Sequence, residues 1–337
     1  MTYSRQLLGG DIRNILVIRM NRIGDMICTI PLLKTLKREF PAAKLSVLAE
    51  AANAEVIQHE PYIDRVLVYS RNNGKRGNKL LNIRSILQGT DYDIAIGVKG
   101  GFSSFLALTS LMSGARCRLG YVSKKWRPMN LLYNLPVKPI DFWTYHQVEA
   151  CMHLLRAIGI EEGTKDISMH IPDRFTDEAV AFLSSKGLMP GERLAVFNIS
   201  STRENAKWNC DNFIRLGKTL IEAFRCRCIV TGIASDKDMA LKICRHIGAN
   251  AFYFQTKSIM SFAGISSLGN VLVTGEGGAG HVGAAAGCQV ISLFADADPV
   301  VWRPYGEGHI SLKAVDGNVK SITVERVISA MASIDNR

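Results

Sequence analysis

Three loops of this 337-residue chain combine charged side chains with glycines, and each is expected to follow a buried strand. The first loop runs from Arg19 to Asp25 and also contains Arg22 and Gly24. Gly24 permits a tight turn, which places Asp25 in the first turn of the helix that follows. The carboxylate is either a favourable partner of the helix dipole or a general base directed into a cleft. Arg19 and Arg22 would keep it charged and able to accept a proton.

The second loop has the sequence GEGGAGH over residues 275–281, between a predicted strand and a helix of small residues. Gly277 and Gly278 would let a ligand approach the backbone, and the N-terminus of the helix could hold a phosphate. Glu276 could accept hydrogen bonds from sugar hydroxyls, and His281 falls in the first helical turn. Tight packing alone can also require glycines. The loop contains GxGxxG, which leaves dinucleotide binding open as an alternative.

The third loop, residues 198–208, contains hydroxyl groups and cations suited to holding a phosphate. These residues are Ser200, Ser201, Arg203 and Lys207. Hydroxyls and cations in one loop after a strand form a plausible phosphate clamp. The alternative is a polar surface loop packed over Trp208.

The net charge favours anionic partners. The chain has 41 Lys and Arg against 30 Asp and Glu, a formal charge of +11. Such a chain attracts nucleic acid, an anionic membrane surface or phosphorylated small molecules. Part of the excess lies in two stretches, one with Arg71, Lys75, Arg76 and Lys79 and one with Arg116, Arg118, Lys124, Lys125 and Arg127. Each stretch could also be a solvated loop.

No metal, cofactor or disulfide is predicted. The eight cysteines are scattered without a CxxC pair. Of the three DxD pairs, Asp91/Asp93 opens a strand, which is the wrong end for a ligand, and Asp236/Asp238 opens a helix, where acids are expected anyway. Asp296/Asp298 follows a strand but has no His or third acid close by in sequence. No apolar run approaches the length of a membrane span, and residues 1–10 lack the apolar segment of a secretory signal. Reduced cysteines fit a cytoplasmic location.

Short apolar runs alternate with amphipathic segments, which predicts an α/β fold with parallel sheets. Residues 24–39 and 143–158 are each expected to form one helix. The pattern restarts near residues 161–173, so we expect two α/β domains. The predicted boundaries are residues 1–165, residues 166–320 and a C-terminal helix at residues 321–337. Ligands of such sheets bind beyond the carboxyl ends of the strands, where all three loops lie.

Taken together, these loops resemble glycosyltransferase family 9, the ADP-heptose:lipopolysaccharide heptosyltransferases. ILVIRMNRIGDMICTIPLLKTLKREFP is similar to the strand–GD–helix opening of the family. VTGEGGAGHVGAAAGCQVISLF is similar to its D-[ST]-G-x-x-H-x-A-A-A motif. WRPYG at residues 302–306 is similar to an element of the third-heptose branch, and Asp93, Arg116 and Arg118 match habitual positions.

The resemblance implies a GT-B fold, in which two Rossmann-like domains with parallel sheets face a central cleft. The N-terminal domain would bind an anionic, lipid-linked oligosaccharide acceptor, and the C-terminal domain a nucleotide sugar. The implied reaction is an inverting, metal-independent transfer of a heptose or related sugar, with ADP-heptose as the expected donor, to a lipopolysaccharide core. The enzyme would need no cofactor, bind no nucleic acid, and lie in the cytoplasm on the inner face of the membrane.

The resemblance also implies roles for individual residues. Asp25 matches the catalytic base. The donor would be bound by Ser200, Ser201, Asp236, Glu276, Gly277, Gly278 and His281, with Glu276 contacting the sugar. The family's phosphate lysine is Ala206 here, so Lys207 is expected to replace it, with Arg203 as the alternative. The acceptor would meet Arg22, Arg71, Lys75, Arg76, Lys79, Arg116 and Arg118.

The chain departs from the family pattern at the sugar site. The family usually has Asp where this chain has Glu276, and Ser or Thr where it has Gly277, so the donor sugar could differ. Two alternative functions stay open from the residues alone: a non-catalytic scaffold that binds a nucleotide sugar, and a nicotinamide-dependent oxidoreductase.

Overall fold

The computed structural model describes residues 10–70, 79–125, 127–189 and 191–335, without the side chains of residues 79–81 and 335. The chain forms two compact units. Unit 1 ends at Ile167 and unit 2 begins at Ser168, whereas the sequence placed this boundary after residue 165.

Unit 1 is built on a parallel sheet of six strands. The strands are β1 (Asn14–Arg19), β2 (Lys44–Glu50), β3 (Arg65–Tyr69), β4 (Ile94–Gly97), β5 (Cys117–Tyr121) and β6 (Leu135–Val137). Their order is β3-β2-β1-β4-β5-β6, so the direction of winding reverses between β1 and β4. A ligand crevice is expected at such a reversal, beyond the carboxyl ends of the strands. The run NILVIR forms β1 because a strand covered on both faces is apolar throughout, and all of its residues after Asn14 are buried.

The helices of unit 1 cover the two faces of this sheet. They are Ile23–Ile27, Ile30–Glu39, Ala51–Ala54, Lys79–Leu87, Ser104–Met112 and Gln147–His153, with 3₁₀ turns at Pro128–Leu132 and Leu154–Ile158.

Two expected helices of unit 1 differ from the prediction. Residues 24–39 form two helices instead of one, because Pro31 lies in the first turn of the second helix and lacks the N–H needed to continue the first. Residues 143–158 become helical only at Gln147. His146 is extended there, and its Nδ1 accepts the Val148 amide at the helix start.

Unit 2 repeats the same sheet order. Its strands are β7 (Leu194–Asn198), β8 (Arg227–Gly232), β9 (Ala251–Gln255), β10 (Val271–Gly275), β11 (Gln289–Phe294) and β12 (Ile310–Lys313). They are arranged β12-β11-β10-β7-β8-β9, which reverses direction between β7 and β10. Each unit is therefore Rossmann-like, as the sequence predicted.

The helices of unit 2 include the C-terminal helix. They are Asp173–Ser185, Cys210–Phe224, Lys237–Ile247, Ile259–Ser267, Gly278–Ala285, Pro299–Trp302 and Val324–Asp335, with 3₁₀ turns at Glu204–Ala206, Ala234–Asp236 and Val319–Ser321. The predicted separate segment 321–337 is part of unit 2 as far as it is described. Val324 and Val327 are buried in the same hydrophobic core as Phe197 and Leu216.

Candidate active site

The carboxyl end of β1 carries a buried arginine paired with the candidate base. The Arg19 side chain is fully buried and its NH2 lies 2.5 Å from Oδ1 of Asp25, whose side chain is 13% exposed. Arg19 Nε donates to the Asp25 carbonyl at 3.0 Å, and NH1 donates to the Val98 carbonyl at 2.9 Å. A buried charge is tolerated only when it is paired and hydrogen-bonded, and these contacts meet that condition.

The loop between Arg19 and Asp25 turns at Asn21, not at Gly24 as the sequence suggested. Asn21 has φ 92°, a left-handed conformation that asparagine tolerates better than most residues. Gly24 instead lies buried inside the helix Ile23–Ile27. The Thr29 hydroxyl donates to the Asp25 carbonyl at 2.8 Å and so ties this short helix to the next one. The turn therefore holds the carboxylate at the sheet edge.

A cavity of about 310 Å³ opens at the same edge, over the ends of β1 to β4. Its lining includes Asn21, Glu50, Tyr69, Lys99 and Ser103. Lys99 is exposed and follows β4 after one residue. This position could have identified it from sequence as a candidate site residue. It makes no ion pair with another described residue.

The three described arginines of the predicted acceptor site, Arg22, Arg116 and Arg118, are not brought together. Arg22 is exposed and immediately precedes the helix Ile23–Ile27, beside Asp25. Arg71, Lys75 and Arg76 lie outside the described residues, as does the side chain of Lys79.

Arg116 lies at the opposite edge of the sheet. Its NH2 lies 2.7 Å from Oδ1 of Asp93, which directly precedes β4, and the Asp93 carboxylate also accepts the amides of Arg13 and Asn14. Burial raises the pKa of Asp93, but these two amides and the Arg116 guanidinium outweigh that effect and lower it below its ordinary value. Arg116 therefore joins the amino ends of β1, β4 and β5, away from Asp25.

Arg118 is likewise engaged within the fold. Its Nε donates to the Leu132 carbonyl and its NH1 to the Ala115 carbonyl, both at 2.8 Å. The guanidinium thus holds the 3₁₀ turn Pro128–Leu132 against β5. These contacts give Arg118 a structural role in place of the acceptor contact expected from the sequence.

In unit 2, the structure brings two predicted donor residues into direct contact. The Ser200 hydroxyl donates to Oδ2 of Asp236 and accepts the Ile233 amide at 3.2 Å. Ser201 forms a local turn, in which its hydroxyl accepts the Arg203 amide at 3.2 Å. The loops after β7 and β8 are therefore joined at the sheet edge.

Glu276 lies at the end of β10 with a buried carboxylate. Its side chain is 1% exposed and forms an ion pair with Arg203. The same carboxylate accepts the amides of Ala295 at 3.2 Å, Asp296 at 3.4 Å and Ala297 at 3.0 Å. Glu276 thus anchors the loop after β11 and holds Arg203.

Lys313 also holds the loop after β11, and the sequence did not indicate this role. Lys313 Nζ donates to the Ala295 carbonyl at 2.6 Å and to the Ala297 carbonyl at 2.9 Å. The signal was weak because Lys313 ends β12, a short edge strand that the sequence did not predict. The loop is therefore fixed through both its amides and its carbonyls.

The two candidate phosphate cations differ in their surroundings. Arg203 is 36% exposed and is held by the buried Glu276. Lys207 is similarly exposed, but its partner at 3.2 Å is Glu204, whose side chain is itself exposed. Ala206, at the family's lysine position, is buried, and a Cβ on Gly275 would overlap its carbonyl oxygen. This arrangement favours Arg203 over Lys207.

The glycine loop opens the helix Gly278–Ala285 without a capping side chain. Gly277 has φ 140°, a conformation that other residues rarely adopt, and a side chain there would meet open space. The first-turn amides of the helix, beginning at Gly278, come directly after Gly277 in the chain. His281 is buried inside this helix and has a partner of its own. Gly277 thus leaves the helix N-terminus accessible to an anion.

No group of three His, Cys, Asp or Glu side chains in the described part of the chain is placed to share a metal ion. The eight cysteines are free thiols. None of the described helices has both the length and the apolar character to cross a bilayer.

Comparison with solved structures defines the fold. The glycosyl transferase family 9 structure from Veillonella parvula matches with a TM-score of 0.83 at 19% identity, covering 96% of this chain and 97% of that one. Escherichia coli heptosyltransferase WaaC with ADP matches with a TM-score of 0.75 at 19% identity, covering 96% and 98%. The fold is therefore the GT-B fold of glycosyltransferases.

Sequence comparison identifies the family. The model of glycosyltransferase family 9 (heptosyltransferase) matches residues 80–327, and the chain belongs to this family. Lipopolysaccharide heptosyltransferase 3 of Escherichia coli K12 is 24% identical over 306 residues, 86% of this chain and 85% of that protein. Lipopolysaccharide heptosyltransferase 1 of the same strain is 20% identical over 332 residues, 95% and 99% of the two chains. The chain is thus a glycosyltransferase, and neither a scaffold nor an oxidoreductase.

The Arg19–Asp25 and Arg116–Asp93 pairs of unit 1 predict unequal effects on stability. Arg19→Met should lower the free energy of unfolding by roughly 3–5 kcal/mol, because it leaves the nearly buried Asp25 carboxylate without its partner. Arg116→Met is the matched control, since its guanidinium is 46% exposed, and should cost about 1 kcal/mol or less. Urea denaturation of both variants measures the difference. Equal losses would show that Arg19 does not hold Asp25 as described.

Proposed function

We propose that this chain transfers a heptose or related sugar from a nucleoside diphosphate donor, ADP-heptose in the first instance, to the core of a lipopolysaccharide precursor. Membership of a heptosyltransferase family supports a glycosyltransferase of lipopolysaccharide biosynthesis. The observation that carries the residue assignments is the buried Arg19–Asp25 pair at the carboxyl end of β1.

In the proposed reaction, Asp25 is the general base. An acceptor hydroxyl is a poor nucleophile until its proton is removed, and a positioned carboxylate can take that proton as the new bond forms. Arg19 holds Oδ1 of Asp25, and no described residue bonds to Oδ2. That oxygen is proposed to accept the proton. A single displacement of this kind inverts the anomeric configuration of the transferred sugar.

The leaving nucleoside diphosphate develops negative charge, and Arg203 is proposed to meet it. Its guanidinium is about one-third exposed, so donors remain for phosphate oxygens in the geometry that arginine supplies well. The N-terminus of the helix Gly278–Ala285 would add backbone amides and the positive end of the helix dipole. With these groups the charge is met without a metal ion.

Ser200 and Asp236 are proposed to lie near the phosphates and the nucleoside, as the resemblance implies, and their mutual hydrogen bond supports a shared site. Glu276 is proposed to position Arg203 and the loop after β11. Its burial and four partners favour that role over the direct sugar contact expected from the sequence.

The acceptor is proposed to approach the carboxyl edge of the unit 1 sheet. Arg22 and Lys99 are exposed cations at this edge and would meet acidic sugars or phosphates of the acceptor. Binding by Arg71, Lys75, Arg76 and Lys79 stays a prediction. A lipid-linked acceptor also places the enzyme at the inner face of the cytoplasmic membrane.

Asp25→Asn should lower kcat by about 10²–10⁴, because an amide cannot accept the proton. The donor Kd should stay unchanged. The variant also leaves Arg19 poorly paired, so kcat is measured per folded molecule, with the folded fraction taken from circular dichroism. Asp93→Asn, which disturbs the Arg116–Asp93 pair of unit 1, serves as the control. Turnover of the folded Asp25→Asn variant near the wild-type level would refute the assignment.

Arg203→Gln should weaken ADP binding by at least tenfold, since a hydrogen bond to a charged group contributes about 1.5–3 kcal/mol. Lys207→Gln, the matched control in the same loop, should change the Kd by less than about twofold, because a lysine held only by the exposed Glu204 side chain is not fixed towards a phosphate and its charge is screened by water and salt. Isothermal titration calorimetry with ADP measures both. The reverse ranking would make Lys207 the phosphate cation.

Glu276→Gln separates the two roles of the buried carboxylate. A positioning role predicts that binding of ADP and of ADP-heptose weakens by the same factor, because Arg203 loses its anchor. A direct sugar contact predicts that only ADP-heptose binding weakens.

A further inference from the structure

A turn after β6 of unit 1 displays two aromatic side chains to solvent. Trp143 is 77% exposed and Tyr145 is 50% exposed. Phe142, beside them, packs edge-on against Tyr121 at the end of β5, with ring centroids 4.9 Å apart. One aromatic residue thus anchors the turn while two others point outward.

This turn is well formed without help from the exposed rings. The Trp143 amide donates to Oδ1 of Asp141 at 3.2 Å, and the Thr144 amide donates to the Asp141 carbonyl at 3.1 Å. The Thr144 hydroxyl donates to the same carbonyl at 2.9 Å. The turn therefore has no structural need for a tryptophan in water. Tryptophan and tyrosine that project outward from a fixed backbone are typical of a membrane–water interface.

Three lysines leave the same edge of the sheet as this turn. Lys124 and Lys125 follow β5, and Lys138 follows β6. All three are exposed, and none forms an ion pair with another residue that the structure describes. Because β5 and β6 pair in parallel, with Tyr121 opposite Val137, the segments after them leave the same edge of the sheet. We call Lys124, Lys125, Lys138, Trp143 and Tyr145 the basic-aromatic edge.

The basic-aromatic edge lies at the same end of the sheet as the candidate base. Strands β1, β4, β5 and β6 are successive neighbours in a parallel sheet, so all their carboxyl ends point the same way. With about 4.8 Å between strands, β6 lies roughly 14 Å from β1. If a membrane bound the basic-aromatic edge, sugars attached to that membrane would therefore come close to Asp25.

We propose that the basic-aromatic edge docks unit 1 onto an anionic phospholipid surface. Trp143 and Tyr145 lie at the level of the headgroups, where their rings are half in contact with hydrocarbon, and the lysines face the lipid phosphates. The positive charge of the edge complements the negative charge of such a membrane. The docking itself does not depend on the proposed function. Only its purpose, which is access to a lipid-linked acceptor, rests on that function.

Vesicle co-sedimentation tests the docking. The full chain should bind vesicles of phosphatidylcholine mixed with phosphatidylglycerol, bind pure phosphatidylcholine far more weakly, and lose affinity as salt is added. Trp143→Ala with Tyr145→Ala should reduce the affinity at least tenfold. Lys124→Gln with Lys125→Gln should reduce it about fivefold for each lysine.

Matched controls lie in unit 2. Val315→Ala removes a side chain that is 99% exposed, and Lys218→Gln with Lys242→Gln removes the same charge as the lysine pair of the edge. These variants should bind vesicles within about twofold of the wild type. All variants should keep the wild-type Tm, because the altered side chains are exposed.

Two outcomes overturn the proposal. One is equal vesicle binding by wild type and edge variants. The other is a wild-type dimer in sedimentation velocity that the edge variants lose while no form binds vesicles, which would assign the surface to a second copy of the chain. Turnover with a delipidated, soluble acceptor should be unchanged in the edge variants. Because that turnover tests the chemistry separately, the docking and the proposed function can fail independently.

Discussion

A guanidinium removed from water must find partners for its donors, and in unit 1 this requirement fixes the candidate base. Arg19 binds the Asp25 carboxylate, the Asp25 carbonyl and the Val98 carbonyl at once. The end of β1, the helix Ile23–Ile27 and the segment after β4 are therefore joined by one side chain. Because each contact costs several kcal/mol to leave unmade in the interior, the carboxylate has little freedom to leave the sheet edge.

Unit 2 also contains an arginine–carboxylate pair, but there the carboxylate is the buried member. In unit 1 the arginine is fully buried and the carboxylate is partly exposed, whereas in unit 2 Glu276 is buried and Arg203 is partly exposed. In both pairs the buried member holds the exposed one. In the proposed reaction, the exposed member in unit 1 is the anion that takes a proton, and the exposed member in unit 2 is the cation that meets the phosphate charge. Relative burial therefore supports different chemical roles for two similar ion pairs.

The sequence predicted the parts of the fold that depend on local pattern. Apolar runs such as NILVIR and QVISLF are buried strands, and the loops after β1, β7 and β10 lie at the carboxyl edges as expected. Four strands were not predicted: β6 and β12 have only three and four residues, β5 contains Arg118 and Gly120, and the apolar run AFYFQ of β9 was missed.

Partners far apart in sequence could not be read from the pattern. The carboxylate of Glu276 was expected to contact a sugar. The residues next to it in sequence do not reveal that its partners are Arg203 and the amides of residues 295–297. Arg116 was expected to bind the acceptor, yet Asp93 holds it at the far edge of the sheet. Charge in the sequence indicates an anionic partner, but only the packing decides which cations are already engaged.

In the proposed reaction, Asp25 is the base of a single displacement at the anomeric carbon of a nucleotide-linked heptose. The most direct measurement is the anomeric configuration of the product, obtained by NMR from the one-bond carbon–hydrogen coupling after reaction of ADP-heptose with a lipopolysaccharide core acceptor. We expect transfer of one sugar with the configuration opposite to that of the donor. Retention of the donor configuration, or release of free sugar without transfer, would contradict a single displacement with Asp25 as its base.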